Sequence, residues 1–234
     1  MGTCVCAQNN SINNLFSINQ KSLNVQDLDN NLNNYNTNSN NLNPNNEKTL
    51  DEKTNEKLFE TNLLNEINFV RTHPKEYAEF LNENIKYIKK EKGHFYFVYN
   101  NNNEKKILLK EGEKIFIDAI NHLKKIKPLK SLKWNDEIKI ELNEKELDNN
   151  FSNDLLGKLI LKKRLKLKEK YQKTYFNLDI FNEPKLSVIF QITDEAFNKE
   201  RRNAILNPNY NYFAVSYIKN NNNKKFLSVS SFAS

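Results

Sequence analysis

An α+β fold is what this chain of 234 residues predicts. Two observations carry that expectation. Apolar residues at helical spacing and apolar residues in short aromatic, alternating runs occupy separate blocks of the sequence. Those blocks run helices, hairpin, helices, terminal hairpin, which favours segregated layers over alternating βαβ units.

Structure is expected to begin near Glu56, where Leu63, Ile67, Val70, Tyr77 and Leu81 keep a helical period, widened by Leu64 and Phe80. Thr72-His73-Pro74 interrupts that stripe. Proline suits the first turn of a helix, so two helices meet there. HFYFVYNNNNEKKILLK has strand composition on both sides of an Asn loop and reads as a hairpin. EGEKIFIDAINHLKKIKPL returns to helix, with Phe116, Ile120 and Leu123 on one face and Pro128 as its stop. Asn135 is placed to cap a helix through WNDEIKIELNEKELDNN. Further helices are expected over about 155–170, rich in Lys and Leu, and over VIFQITDEAFNKERRNAI. YFAVSYI and FLSVSSFA close the chain as two alternating strands around another Asn loop.

Lys and Arg number 36 against 29 Asp and Glu, a formal charge of +7 that suits an anionic membrane surface or nucleic acid without requiring either. No run approaches the roughly 18–20 apolar residues of a membrane span. Residues 1–30 carry no apolar core of a secretory signal. The only two cysteines are Cys4 and Cys6, so no pair staples the body, which reads as a domain on the cytosolic side.

Those two cysteines sit in the opening MGTCVC. Removal of Met1 exposes Gly2, the acceptor for N-myristoylation, although Cys6 stands where the motif has Ser or Thr. A single myristoyl chain binds a bilayer only marginally, with K of about 10⁴ M⁻¹, so stable attachment needs a second signal. S-palmitoylation of Cys4 and Cys6 supplies it. Residues 1–7 therefore read as an acylation signal, 8–55 as an Asn-rich disordered tether too polar to bury a core, and 56–234 as the folded domain.

Three segments, LLNEINFVRTHPKEYAEFL, KEGEKIFIDAINHLKKIKPLKSLKWNDEI and RRNAILNPNYNYFAVSYI, resemble the CAP superfamily. This group of SCP-domain proteins includes the cysteine-rich secretory, antigen 5 and pathogenesis-related proteins. The resemblance runs from about Leu58 to the end of the sequence and rests on LNEIN-x-VRT-x-P and KPL-x-x-L-x-WN. It implies an α-β-α sandwich around a central antiparallel sheet. The MGTCVC start resembles an acylated, intracellular branch of that family.

The family's cleft holds two His and two acidic residues that bind a divalent metal, and the resemblance carries it over with losses. Lys145 stands at the first His position with Asp148 as the matching acid, and Arg201 stands at the second. Leu178 replaces one acid with Asp179 beside it, and Lys166 is the counterpart of the other. Ammonium and guanidinium groups are protonated near neutrality and do not ligate cations. The expectation is a degenerate cleft without metal or cofactor, disposed instead toward an anion.

Other chemistries lack their residues. His73, His94 and His122 are the three histidines and no two have ligand spacing. His73 reads as a helix-end or surface residue, and His122 as a cation favoured by the end of its helix. No nucleophile elbow, glycine-rich phosphate loop or HExxH run occurs. KLILKKRLKLKEKY and HLKKIKPLKSLK concentrate positive charge, either as solvated helix faces whose leucines pack inward or as surfaces for anionic lipid. No basic strand with interleaved aromatics points to nucleic acid.

Together these observations predict a lipid-anchored, non-catalytic CAP-like binding or scaffold module on the cytoplasmic face of a membrane. Its partners would be anionic lipid, a hydrophobic ligand such as a sterol, which the family resemblance permits, or a protein. The alternatives are a hydrolase with a rebuilt cleft using Asp148 and His73, and a structural component of a larger assembly.

Overall fold

The computed structural model describes residues 50–99, 105–142, 153–194, 199–220 and 225–234. Helix α1 (Leu50–Thr72) begins inside the stretch read as tether and ends where expected. His73 breaks the helical path with φ −129° and ψ 55°, and Pro74 opens α2 (Pro74–Asn84). Proline's fixed φ and missing N–H cost nothing in a first turn.

Strands β1 (Ile88–Glu91), β2 (His94–Tyr99) and β3 (Lys105–Leu109) form an antiparallel meander in that order. The hairpin around the Asn loop is β2–β3, and β1 is a third strand that the sequence pattern did not disclose. Lys92 and Gly93 join β1 to β2, both at positive φ (49° and 86°), as a two-residue type I′ hairpin turn requires. Helix α3 (Glu113–Leu123) comes next, burying Ile115, Phe116, Ala119, Ile120 and Leu123.

A second sheet has the order β4-β6-β7-β5, from β4 (Lys133–Trp134), β5 (Thr174–Asp179), β6 (Tyr212–Asn220) and β7 (Lys225–Ala233). Its long pairs are antiparallel, and the two-residue β4 joins β6 in parallel. Alternation along these strands separates two faces. Phe213, Val215 and Phe232 enter the main core with Leu63, Ile67 and Val70 of α1 and with α5 (Pro184–Thr193). Ala214, Leu178, Val229 and Ala233 face the other way, against Ile160 and Leu167 of α4 (Asn153–Leu167). Helices thus cover both sides of one sheet: an α-β-α sandwich.

Two helix expectations need correction. Asn135 does cap, its side chain accepting the N–H of Glu137, but it caps only a single 3₁₀ turn over Asp136–Ile138. Ile138, Ile140 and Leu142 recur every second residue and all pack onto the outer face of the sheet. That period of two belongs to extended chain, not helix. VIFQITDEAFNKERRNAI is likewise not one helix. Helix α5 stops at Asp194, which turns left-handed (φ 47°, ψ 52°), and α6 (Glu200–Ile205) starts afresh. Asp is among the few side chains that tolerate this conformation.

Candidate functional site

The inner face of the second sheet carries a buried polar cluster where β5, β7, α5 and α6 meet. Asp179 ends β5 and its side chain lies among α5 residues. Its carboxylate accepts the backbone N–H groups of Ile180 (2.7 Å) and Phe181 (3.3 Å). It also accepts the Ser187 hydroxyl and the Gln191 amide (3.2 Å). Ser187 and Gln191 lie four residues apart on α5, so one helix face presents both. Gln191 in turn donates to Ser187 Oγ at 2.8 Å. Burial pushes the Asp179 carboxyl above its ordinary value, against the opposing charge of Arg201 and these donors.

Cross-strand register extends the cluster. Ser228 of β7 lies opposite Asp179, and Ser230 opposite Asn177. Both hydroxyls, Asn177 Nδ2 and Gln191 Oε1 are buried without a hydrogen-bond partner among the described residues. Four such atoms in one place form a polar interior within an otherwise apolar layer.

Arg201 and Arg202 open α6 and bind the end of α5. Arg201 Nε donates to Asp194 Oδ1 at 2.7 Å, and its backbone N–H to Oδ2 at 2.8 Å. Its Nη2 donates to the Phe190 carbonyl (3.1 Å). Arg202 donates to the carbonyls of Ile192 and Thr193 and, at 2.7 Å, to Asp118 of α3. Those carbonyls are the orphans of a helix C-terminus, where cations are favoured. Burial raises Asp118, but the hydrogen bonds and charges of Arg202 and Lys199 outweigh it and hold the carboxyl below its ordinary value.

The sequence-predicted site residues divide accordingly. Asp179 and Arg201 come together in this cluster. Leu178, one residue from Asp179, projects to the opposite face and packs with Ile140, Ile160 and Val229. Lys166 is exposed near the end of α4, on that far side. Gly2, Cys4, Cys6, Lys145 and Asp148 lie outside the described residues.

Ser187, Gln191, Asp194, Arg202 and Asp118 are not among the residues the sequence nominates. One signal was legible: Ser187 and Gln191 are the polar breaks, at helical spacing, in the apolar run LSVIFQI. The motif LNEIN-x-VRT also acquires a structural explanation. Asn68 exchanges hydrogen bonds with the backbone N–H and C=O of Leu132 at 2.7 and 3.0 Å. Arg71 is buried and donates to the carbonyls of Lys130, Ile205, Asn207 and Tyr210. Burial lowers the Arg71 pKa to about 10. These two side chains lock α1 to the loops before β4 and β6.

Histidines make no constellation among the described residues. His73 is exposed, stacks on Phe69 and shares a 2.7 Å hydrogen bond with Thr72 Oγ1. His94 is exposed at the start of β2. His122 departs from the expected cation: burial, with Arg202 nearby, lowers its pKa and favours the neutral ring. No group of three or more His, Cys, Asp or Glu among the described residues is placed to hold a metal. Two surface hollows of about 330 and 490 Å³ contain none of the predicted cleft residues. No described helix is long and apolar enough to cross a membrane.

No family model matches the chain, and no curated protein matches it in sequence. Among solved structures it is similar to a cysteine-rich secretory protein from Staphylococcus aureus, at 17% identity and a TM-score of 0.35. The match covers 62% of this chain and 58% of that one, less than two thirds of its length.

Proposed function

We propose that this protein is a non-catalytic binding or scaffold module, tethered to the cytoplasmic face of a membrane by acyl chains on Gly2, Cys4 and Cys6. One observation carries the non-catalytic part: the Ser187 hydroxyl and the Arg201 guanidinium of the inner cluster are buried and engaged by other groups of the protein. The Ser187 hydroxyl is fully buried and donates to Asp179, with no imidazole as its base. The Arg201 guanidinium donates to Asp194 and to a main-chain carbonyl. Acyl transfer needs a nucleophile within reach of both a base and a substrate; Asp179 lies beside Ser187, but the buried hydroxyl has no surface open to a substrate. The tether part rests on MGTCVC followed by an Asn-rich stretch.

The partners that suit such a module are anionic lipid, a hydrophobic ligand or another protein. The test is fractionation of cells expressing the intact chain and Gly2→Ala. The wild type is expected mainly in the membrane pellet. Losing myristate removes the first contact and with it access to palmitoylation, so Gly2→Ala should be at least about tenfold depleted there. Unchanged partitioning would overturn the anchor.

A further inference from the structure

Helix α4 turns two unlike faces to its surroundings. Inward, Ile160 packs with Ile140, Leu178 and Val229, and Leu167 packs with Ile138, Tyr171 and Ala214. Arg164 is half-buried, its guanidinium 5.8 Å from the Phe176 ring centroid. Outward, Leu161 and Leu165 are 50% and 62% exposed, one turn apart on the same row. Lys158, Lys162 and Lys166 form an adjoining exposed row at the same spacing, and Lys168 lies just past the helix. The helix holds one acidic residue, Asp154, in its first turn, a full turn before Lys158 and nearly two before Leu161.

From this geometry we infer that the outward face of α4 is a docking surface for an anionic bilayer. The inference rests on the membrane reading above and names the protein surface that meets the leaflet. Patch size and charge select the occupant. Two leucines are far short of the roughly 800 Å² per partner that a stable protein interface buries. They are enough for a shallow insertion at the boundary of headgroups and acyl chains. Lysine stems flanking them lie along that boundary while their ammonium groups reach the phosphates. Binding through such a face alone is weak. On a chain already tethered, it becomes an intramolecular contact with a high effective concentration. The expectation that leucines of this helix pack inward therefore holds for Leu167 and fails for Leu161 and Leu165.

The experiment uses the full, unacylated chain at low ionic strength with sedimenting vesicles. One set is phosphatidylcholine alone and the other contains about 30% phosphatidylserine. Wild type should pellet with the anionic vesicles only and be released by added salt. Lys162→Glu/Lys166→Glu should lower that binding by about tenfold or more, and Leu161→Ser/Leu165→Ser by several-fold. Circular dichroism checks that these exposed substitutions leave the fold intact. In a Cys4→Ser/Cys6→Ser background, a polarity-sensitive dye on Leu165→Cys should shift to the blue on anionic vesicles. The same dye on Ile117→Cys, exposed on α3, should not. Equal binding to both vesicle types, undiminished binding of the charge-reversed variant, or equal dye shifts at the two positions would each refute the assignment. Because acylation is absent throughout, failure here is separate from failure of the Gly2→Ala test.

Discussion

Arg71 is the residue whose role differs most between sequence and structure. In the sequence it is one letter of a motif; in the fold its guanidinium satisfies four main-chain carbonyls, one before β4 and three from the end of α6 and the loop that follows. Arg71→Ala orphans those acceptors and opens a cavity, so we expect a loss of about 3 kcal/mol or more, read from denaturant unfolding. Asp179 supports a second prediction through pH. Its folded pKa is raised, so the folded state holds its proton more tightly than the unfolded state. Stability from this group is therefore greatest below the ordinary carboxylate value and is lost as pH rises through the raised one. Asp179→Asn removes that loss. The melting temperature of the variant relative to wild type should climb as pH rises from about 4, the ordinary carboxylate value, toward neutrality. A difference that stays flat across that range would contradict the raised pKa.

At the level of elements, backbone conformation decides what side-chain pattern leaves open. Gly112 precedes α3 with φ 61° and ψ −129°, a region essentially restricted to glycine. A Cβ built there would lie 2.6 Å from the Phe95 ring. Gly112→Ala should cost about 1–3 kcal/mol and lower the melting temperature without changing the surface of α3. The break at Asp194 has the same character. LSVIFQIT is apolar enough to promise a continuing helix, yet the chain turns left-handed there, and Asp194 Oδ2 receives the Arg201 N–H. The helices around Pro74, the β2–β3 hairpin and the final two strands were legible because period and punctuation agree. Ile138, Ile140 and Leu142 were misread because three alternating residues sit inside a charged stretch of high helix propensity.

For the whole molecule, two helical layers on one sheet explain why neighbours in sequence part company. The pleat sends Asp179 into the polar interior and Leu178 toward α4, so these two neighbours from the family pattern lie on opposite faces of the sheet. Arg201 is closed off by Asp194. Equimolar zinc should accordingly leave the melting temperature of the full chain unchanged, measured by differential scanning fluorimetry. A zinc-dependent rise would show that ligands assemble around residues such as Asp148 after all.

What the sequence determined by itself was the inventory: segregated helices and strands, two cysteines confined to the opening MGTCVC, and lysines gathered with leucines in one helix. Each is a local property, set by side-chain chemistry and spacing along the chain. What only the tertiary structure decided was company. Which polar groups meet depends on pleat, register and the packing of helices against the sheet, and these bring together residues from β5, β7, α5 and α6. The same packing buries one row of α4 and leaves Leu161 and Leu165 facing outward.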